Sequence, residues 1–553
     1  MKKWLLYGAL IVIVLTALFL RVYRLNYLEL FGDELDAGYQ AYSLLTTGRD
    51  YKGHYLPLYI ESFSEWRAPL LMYVMVPFIK IFGLNEWGVR LTSAFFGLVS
   101  IFVFWRLLRF GKESLVVLLG GFLFLAISPW HVQYSRAGFE LTLLSSLLLL
   151  GVLWFWQGLE GSKIKMIGGA FSFGLSLYAY STANVYIILL VALVVGIEFA
   201  RLRVNFKFLT VSLVLLIVVA LPIISQVLSG HGADRFRLFS VFQNDVLIGQ
   251  VNDYRKIDSS FLGKIFINHI TIVGKKIMGN YANAFGYSFL LGEGDVTFRH
   301  SLHFVGMIYW VQAFLVLIGL IYFFGKRNKS KSEILWLGFL LLSPIPSSLT
   351  IDGANHASRL FLMVFPLAYW AGVGIKAVWL SKLWYKTWLL TILGLLLLLF
   401  EFGFYQNYYW KHYQRESWRW WQYGYKEVMS DVDALGSSFT KIYIENTYEP
   451  ALIRYLFWNG YDSRLVYHLD DEMKLLEGNW HYFSLNKKIR FVDYGPNFDQ
   501  KEMQSNSLYI VSQSRNVPGD WNWGINPPSG IKVLKTIYNP WNQPIFYLVT
   551  KNS

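Results

Sequence analysis

Long apolar runs alternate with short basic clusters along the first 404 residues of the chain. A helix needs roughly 17 to 25 predominantly apolar residues to cross a bilayer, and eleven of the runs reach or approach that length. We therefore predict a polytopic α-helical membrane protein with about eleven transmembrane helices. Their predicted positions are 4–22, 90–108, 114–130, 140–159, 166–182, 185–200, 208–228, 305–325, 333–350, 360–380 and 387–404.

A further apolar run at 69–83 is shorter and contains Pro77 and Lys80. Such a segment favours a re-entrant or interfacial helix over a crossing. The positive-inside rule supports this choice, because one extra crossing would invert the orientation of every later loop. With eleven crossings and a cytoplasmic N-terminus, all short basic clusters lie on the cytoplasmic side. These clusters are Lys2 and Lys3; Arg106, Arg109 and Lys112; Lys163 and Lys165; Arg201, Arg203 and Lys207; Lys326, Arg327, Lys329 and Lys331; and Lys376, Lys382 and Lys386.

This orientation divides the chain into a transmembrane domain over 1–404 and an extracytoplasmic domain over 405–553. It places a first external loop at 23–89 and a long external loop at 229–304. We expect an integral protein of the cell membrane (plasma or inner), with its chemistry on the extracytoplasmic side.

The C-terminal domain contains strand-like pieces separated by Gly, Pro and Asn turns, such as KIYIENTY at 441–448, SLYIVSQS at 507–514 and PIFYLVT at 544–550. We therefore predict a small mixed α/β domain. Its first segment, YQNYYWKHYQRESWRWWQYGY, has aromatic rings that could stack on sugars. We favour the alternative, an aromatic belt where the last span leaves the membrane.

The composition agrees with a membrane protein and narrows the chemistry. Of 553 residues, 55% are hydrophobic and 18% aromatic, which is more than an ordinary soluble domain contains. The net charge of +14 is spread over the loop clusters, so we predict no nucleic-acid partner. The absence of cysteine excludes disulfides, thiol catalysis and thiolate metal sites. We interpret the N-terminal apolar run as a retained first helix, because no small-residue cleavage site follows it.

Ionisable residues at a membrane edge are costly and are therefore candidates for function. In the predicted topology they gather on the external side, in FGDELDAG, SEWRAPL, SPWHVQYSRAGFE, GEGDVTFRH and NHASR. A carboxylate can accept the proton of a hydroxyl group, while arginines bind phosphate oxygens and stabilise the charge of a leaving phosphate. This combination suits a sugar donor linked to a lipid phosphate, whose hydrocarbon tail stays in the bilayer.

We assign three groups of candidate site residues. The catalytic candidates are Asp33, Glu34 and Glu140; the donor-phosphate candidates are Arg67, Arg136, Arg299 and Arg359; the candidates for acceptor binding or support are Asp36, His300 and His356.

Each assignment has a structural alternative. Asp33 and Glu34 could cap the next helix, because acidic residues favour a first turn. Glu140 could be an exposed residue at the end of a span, and each arginine by itself could be an interfacial anchor that reaches the head groups. The sequence contains no EF-hand loop, HExxH motif or P-loop.

The stretches GDELDAGYQAYSLLTTGRDYKGHYLPLY and WRAPLLMYVMVPFIKIFGLNEWGVRLTSAFFG resemble the first external loop of the GT-C glycosyltransferases, specifically the protein O-mannosyltransferase and aminoarabinose transferase group (glycosyltransferase family 39/83-like). SPWHVQYSRAGFE, LYAYSTANVYI and GEGDVTFRHSLHFVGMIYW are similar to bacterial members, and HASRLFLMVFPLAYWAG to a late span with Arg and Pro. These motifs cover most of residues 1–380. The resemblance implies a GT-C fold and an enzyme that moves one sugar from a polyprenyl-phosphate carrier to an external acceptor, with inversion at the anomeric carbon.

The resemblance also implies individual roles. Asp33 matches the first-loop acid that acts as base or orients the acceptor, with Glu34 beside it. Glu140 stands where the second external loop supplies another acid. Arg67 and Arg359 match basic residues near the donor phosphate.

This chain departs from the pattern of the family at two places. The family commonly has two prolines where this chain has Ala68 and Pro69, and an arginine where it has Asn184.

Related oligosaccharyltransferases hold a divalent metal with acidic residues of the first two external loops, whereas the mannosyltransferase branch does not require one. We predict no obligate cofactor; if an Mg or Mn ion is used, Asp33 and Glu140 would bind it.

The expected partners are membrane lipids, a polyprenyl-phosphate-sugar donor, and a protein, lipid or polysaccharide acceptor. The competing hypothesis is a transporter or flippase for lipid-linked glycans. Transporters often contain two similar halves with broken helices at the bilayer midplane. Here the polar groups cluster at one face and no twofold repeat is visible, which favours the enzyme.

Overall fold

The structure is a computed structural model that describes residues 3–62, 65–201, 206–228, 240–243, 245–258, 260–381, 384–447, 449–470, 473 and 475–552. The chain forms two compact units. The first, here named the helical unit, comprises Met1–Tyr23, Leu58–Leu71 and Ser93–Tyr409. The second, the sheet unit, comprises Arg24–Pro57, Met72–Thr92 and Trp410–Ser553.

Among the described residues, six helices are long and apolar enough to cross a membrane. They are Leu6–Tyr27, Glu86–Phe110, Leu141–Leu159, Phe206–Gln226, Ala357–Leu380 and Trp388–Ser417. A further candidate span is the pair Leu115–Ile127 and Pro129–Arg136, which bends by 50°. The bend has a local cause, because Pro129 suits the first position of a new helix and the Ser128 hydroxyl caps it by accepting from the His131 amide at 3.3 Å.

Helices also occupy the other predicted spans, but several are short. Lys163–Ser176, Ala183–Ile197, Trp310–Gly325 and Lys331–Leu342 have 14, 15, 16 and 12 residues. At ~1.5 Å per residue they measure about 18 to 24 Å, which is less than the ~30 Å hydrocarbon core. The number eleven therefore stays a prediction. The run at 69–83 forms the 13-residue helix Leu70–Phe82, also short for a crossing.

Further α-helices among the described residues are shorter or more polar. They are Gly32–Thr47, Asp245–Ile257, Phe261–Phe266, His269–Asn283, Tyr287–Leu290, Ile345–Ser348, Gln414–Ser417, Tyr425–Gly436, Ala451–Trp458 and Gln513–Asn516.

Glycines fix the packing of the late helix Val364–Leu380. A Cβ added at Gly374 would lie 2.0 Å from the carbonyl oxygen of Leu315, and one at Gly372 would lie 2.6 Å from that of Val117. Small residues let helix backbones approach closely, which gains dispersion contacts where lipid supplies no hydrophobic drive. The chain segment that precedes this helix, and carries several candidate site residues, is thereby held on a rigid element.

Nine strands form two sheets in the part of the chain that the structure describes. In the helical unit, β1 (Ile60–Ser62) pairs antiparallel with β2 (Glu65–Arg67). The sheet unit contains β3 (Lys441–Glu445), β4 (Leu475–Glu477), β5 (Trp480–Ser484), β6 (Ile489–Asp493), β7 (Ser507–Ser512), β8 (Ile531–Tyr538) and β9 (Pro544–Lys551).

The seven-stranded sheet has the order β4-β5-β6-β3-β7-β9-β8. Its centre is parallel, because β3 runs parallel to both β6 and β7, while the outer pairs are antiparallel. All six residues of β7 are buried, as expected of a central strand. With the helices Tyr425–Gly436 and Ala451–Trp458, this sheet confirms the predicted mixed α/β domain, and the fold class predicted from the sequence is confirmed.

Candidate functional site

The first turn of the helix Gly32–Thr47 carries Asp33 and Glu34. The Glu34 carboxylate is completely buried and pairs with Arg90, whose Nε and Nη2 each donate to one carboxylate oxygen at 2.7 Å. Arg90 also donates to three backbone carbonyl oxygens at 2.7 or 2.8 Å, those of Leu25, Leu28 and Glu29. This network ties the chain after the first span to the start of the helix. Because both oxygens of Glu34 face a fixed cation, the geometry favours a positioning role for Glu34.

Asp33 differs from its neighbours by being only partly buried. It lies at a helix N-terminus, where the positive end of the helix dipole stabilises a carboxylate. The backbone of this turn is held in place, since the Gly32 amide donates to Gln422 Oε1 at 2.7 Å. Asp36, one helical turn later, is completely buried and accepts from the Tyr51 hydroxyl at 3.1 Å.

Glu29 is a further carboxylate of the sheet unit with an unusual environment. It accepts from the amides of Gly424 at 3.0 Å and Lys426 at 3.3 Å. Burial raises the pKa of Glu29 to about 7, although the two amides and the Lys426 charge oppose the shift. This group therefore changes charge near neutral pH.

Arg67 ends β2, opposite Ile60 of β1, and is partly exposed. The hairpin places it two residues before the Pro69 that precedes the helix Leu70–Phe82. The predicted donor-phosphate role of Arg67 stays a prediction.

Three segments at the ends of helices meet within the helical unit: 129–140, 295–300 and 350–359. The Tyr134 hydroxyl is 2.9 Å from His300 Nδ1 and 2.8 Å from Ser358 Oγ, so one residue contacts both other segments. The rings of Tyr134 and His300 are stacked, with centroids 5.6 Å apart. We name this group, with Asp295, His356 and Arg359, the polar junction.

Backbone hydrogen bonds hold the polar junction together. Asp295 Oδ2 accepts from the Ala357 amide at 2.7 Å, which joins the second segment to the third. Gln133 Nε2 donates to the carbonyl oxygen of Arg299 at 2.8 Å, which joins the first to the second. Arg299 and His300, predicted from one short motif, are thereby placed beside the SPWHVQYSR segment.

Arg359 is nearly buried and lies beside an acid. Its Nη1 donates to Thr350 Oγ1 at 2.7 Å and forms an ion pair with Asp352, whose side chain is 44% exposed. Burial raises the pKa of Asp352, but the hydrogen bond and charge of Arg359 outweigh it, so this pKa lies below its usual value. The pair is therefore charged at neutral pH, and its acidic member reaches solvent.

His356 lies between these groups, with its ring centroid 5.8 Å from that of His300. Burial and the nearby Arg359 charge lower the pKa of His356 to about 4, although Asp295 and Asp352 oppose the shift. The imidazole is consequently neutral at physiological pH and can both donate and accept a hydrogen bond.

Arg136 and Glu140 flank the first of the three segments. Arg136 is 5% exposed, and it donates to the Tyr409 hydroxyl and to the Leu20 carbonyl oxygen, each at 2.9 Å. Glu140 is partly buried at the N-terminal end of the helix Leu141–Leu159. Arg136 thus joins helix ends, in addition to any role towards a phosphate.

The described part of the chain contains no group of three or more His, Asp or Glu side chains that could hold a metal ion. Carboxylate oxygens are the ligands that Mg²⁺ and Mn²⁺ prefer. The predicted role of Asp33 and of Glu140 as ligands of such an ion stays a prediction.

Several residues of these networks were not singled out from the sequence. Arg90 lies in the WGVRL motif, and an arginine at the start of a predicted span could have indicated a buried acidic partner. Tyr134 and Asp295 lie in motifs that were noted for other residues. Asp352 gave no signal, because its pairing with Arg359 depends on a local turn.

The chain is similar to known proteins in sequence and in fold. Residues 66–224 match the sequence model of a family described as dolichyl-phosphate-mannose-protein mannosyltransferase. No curated protein matches the chain.

Solved structures that are similar to this chain include ArnT and AglB. ArnT from Cupriavidus metallidurans, in a crystal structure with bound undecaprenyl phosphate, is 14% identical; the match covers 98% of each chain with a TM-score of 0.50. The archaeal oligosaccharyltransferase AglB from Archaeoglobus fulgidus, in complex with an inhibitory peptide and a dolichol-phosphate, is 13% identical over 84% of this chain and 64% of that chain, with a TM-score of 0.45. The family match and the ArnT fold confirm the resemblance inferred from the sequence motifs.

Proposed function

We propose that this chain, a membrane protein of the GT-C superfamily of the mannosyltransferase and aminoarabinose transferase type, is a glycosyltransferase that moves one sugar from a polyprenyl-phosphate carrier to an acceptor on the extracytoplasmic face. The observation that carries the proposal is the polar junction. It gathers a nearly buried arginine, two imidazoles and one acid at the ends of apolar helices, with Asp352 paired to the arginine, where ionisable groups are costly without a function. A sugar linked to a lipid phosphate presents both a charge and hydroxyl groups to residues at the ends of membrane helices.

In this proposal, arginines bind the donor phosphate. Arg359 makes the main contact, because a guanidinium matches phosphate oxygens in geometry and carries a permanent charge. Asp352 neutralises Arg359 in the free protein and turns towards solvent when the phosphate replaces it. The other proposed phosphate ligands are Arg67, Arg136 and Arg299.

The imidazoles suit the uncharged part of the substrates. His356, which is neutral at physiological pH, can donate and accept hydrogen bonds with sugar or acceptor hydroxyls without adding charge, and His300 lies beside it. Asp36 supports the helix that carries Asp33 through its bond to Tyr51.

The reaction is a single displacement. The oxygen of the acceptor hydroxyl attacks the anomeric carbon, and the bond from that carbon to the phosphate oxygen breaks. The polyprenyl phosphate leaves with the electron pair, which the arginines stabilise, and Asp33 takes the hydroxyl proton. Because attack comes from the face opposite the phosphate, the anomeric configuration inverts.

The two remaining acids have different proposed roles. Glu34 positions Asp33 through its bonds to Arg90, and does not exchange protons with the substrates. Glu140 supplies the second acid, or an oxygen ligand should the reaction use a divalent ion.

The test is a transfer assay on the purified full-length protein. A panel of polyprenyl-phosphate sugars is incubated with a membrane extract as acceptor source, and mass spectrometry follows both the donor lipid and the acceptor. Arg359→Gln is compared with Arg464→Gln, because Arg464 forms an exposed ion pair with Asp462 in the sheet unit and offers a matched control. We expect the first substitution to raise the KM for the donor strongly and the second to leave it unchanged. Equal KM values in both variants would remove Arg359 from donor binding, and a wild type that consumes no donor would contradict the transferase.

A further inference from the structure

The sheet unit contains an open cleft that none of the proposed catalytic residues line. Its volume is about 680 Å³, and it is formed by side chains from the segments 418–423, 512–522 and 539–546. Sites for small organic molecules typically measure ~300 to 1,000 Å³, so the cleft has the size of a binding site.

One part of the cleft is aromatic. Trp418 and Tyr423 line it and are both partly exposed; the Arg419 guanidinium covers part of the Trp418 ring, 5.2 Å from its centroid. They come from the aromatic segment at the start of this region, YQNYYWKHYQRESWRWWQYGY. A flat, accessible ring face packs well against the apolar C–H face of a pyranose.

The lining also contains amide side chains that are held in place. Asn522 Oδ1 accepts from the Gly524 amide at 2.9 Å, and Gln543 Oε1 accepts from Asn539 Nδ2 at 3.0 Å. Asn539 is itself fixed, because its Oδ1 accepts from the Gln543 amide at 3.0 Å. With their oxygens bound internally, Asn522 and Gln543 offer their NH₂ groups as oriented donors.

The charge of the cleft indicates a neutral ligand. Arg419 and Asp520 are the charged residues in its lining, within the part of the chain that the structure describes, and they have opposite signs. A site for phosphate or an acidic polymer would instead concentrate arginines or lysines. The remaining polar groups are hydroxyls and amides, which match the donor and acceptor groups of a sugar.

We propose that this cleft binds a neutral saccharide, with one pyranose ring packed on Trp418 and its hydroxyls bound by Asn522, Gln543 and Asp520. The inference does not depend on the transferase function, because it rests on the sheet unit alone. It makes the C-terminal region a carbohydrate-binding module with a site of its own.

The experiment is saturation-transfer difference NMR on the full-length protein. The protein is held in lauryl dimethylamine oxide, because the sugar head group of a maltoside detergent would compete for the cleft. The probes are maltotetraose, cellotetraose, chitotetraose and α-1,6-mannotetraose, with tetragalacturonate as the acidic comparison and a Gly-Ser-Thr peptide as the non-carbohydrate one.

Two substitutions alter the cleft in different ways. Trp418→Ala removes the ring, and Ser514→Trp fills the space from an exposed position without removing an internal packing group. Trp420→Ala is the matched control, since this tryptophan belongs to the same segment, is 37% exposed and does not line the cleft. Thermal unfolding of each variant shows that it is folded.

We expect at least one neutral tetrasaccharide to bind the wild type and Trp420→Ala equally. Its affinity should fall by about tenfold in Trp418→Ala, from the lost ring contact, and be abolished in Ser514→Trp. Binding of none of the neutral probes would overturn the proposal. Wild-type affinity in both Trp418→Ala and Ser514→Trp would also overturn it. So would a preference for the acidic probe or for the peptide.

Discussion

Replacing Arg90 with methionine removes the cation that both oxygens of Glu34 contact, while keeping similar volume. The structure gives the magnitude: two bonds of 2.7 Å to the carboxylate and three to backbone carbonyls are lost, and a completely buried carboxylate is left without its cation. Removing one partner of such a buried pair costs ~3 to 5 kcal/mol. We therefore expect Arg90→Met to lower the free energy of unfolding by about 4 kcal/mol.

The double variant Glu34→Leu/Arg90→Met tests whether the lost stability comes from the unpaired carboxylate. It leaves no buried charge, so the remaining cost is the loss of partners for three carbonyl groups, at ~1 kcal/mol each. We expect it to be more stable than Arg90→Met alone, although it changes one more residue. Denaturant unfolding in detergent, followed by tryptophan fluorescence, measures both values. The reasoning is refuted if Arg90→Met lies within about 1 kcal/mol of the wild type, or if the double variant is less stable than the single one.

The same pair separates positioning from catalysis. If Glu34 acts only through Arg90, then Glu34→Gln loses stability and transfer activity together. A Glu34→Gln protein with wild-type stability and no turnover would instead make Glu34 a catalytic residue.

Four further predictions follow from the described contacts. Asp33→Asn should lower kcat by about 10²- to 10⁴-fold in the transfer assay, with normal yield and melting temperature; unchanged turnover would remove Asp33 from the mechanism. Arg67→Ala should weaken donor binding more than stability, and equal donor affinity would make Arg67 an anchor only. The folded-state pKa of Glu29, about 7, lies above its ordinary value of 4.5, so the folded protein binds an extra proton and its stability falls as pH rises from 4.5 to 7. Glu29→Gln should therefore flatten the dependence of melting temperature on pH between pH 5 and 8. An unaltered pH dependence would contradict the assignment. Because the pKa of His356 is about 4, His356→Asn should not shift the midpoint of the pH-activity profile between pH 6 and 8, whereas a shifted midpoint would show that this imidazole titrates there.

The sequence predicted the elements whose signal is continuous along the chain. Spans such as Glu86–Phe110 and Leu141–Leu159 are predominantly apolar, and β7 and β9 are apolar runs between turns. The helices Lys163–Ser176 and Lys331–Leu342 are shorter than the apolar runs predicted at 166–182 and 333–350, because each helix ends several residues before the apolar run does. Hydropathy alone does not locate such ends.

The sequence indicated candidate residues by type, but not how they pair. Arg359, His356 and His300 were chosen because their motifs fall on one face, and they do lie in the polar junction. That Arg90 binds Glu34 across 56 positions, or that Tyr134 bridges His300 and Ser358, depends on helix packing and turn geometry that no local pattern contains. The cleft around Trp418 could not be predicted from the sequence, because its three segments are separated along the chain.

The central claim is that the protein consumes a polyprenyl-phosphate sugar. The most direct measurement reconstitutes the wild type and Asp33→Asn in liposomes that contain the donor lipid, adds acceptor extract on either side of the bilayer, and follows the donor by mass spectrometry. The proposal predicts that the wild type converts the donor to free polyprenyl phosphate and adds the sugar mass to an acceptor on one side, while Asp33→Asn does neither. Donor that moves between leaflets and stays intact in both proteins would contradict it and make the chain a transporter.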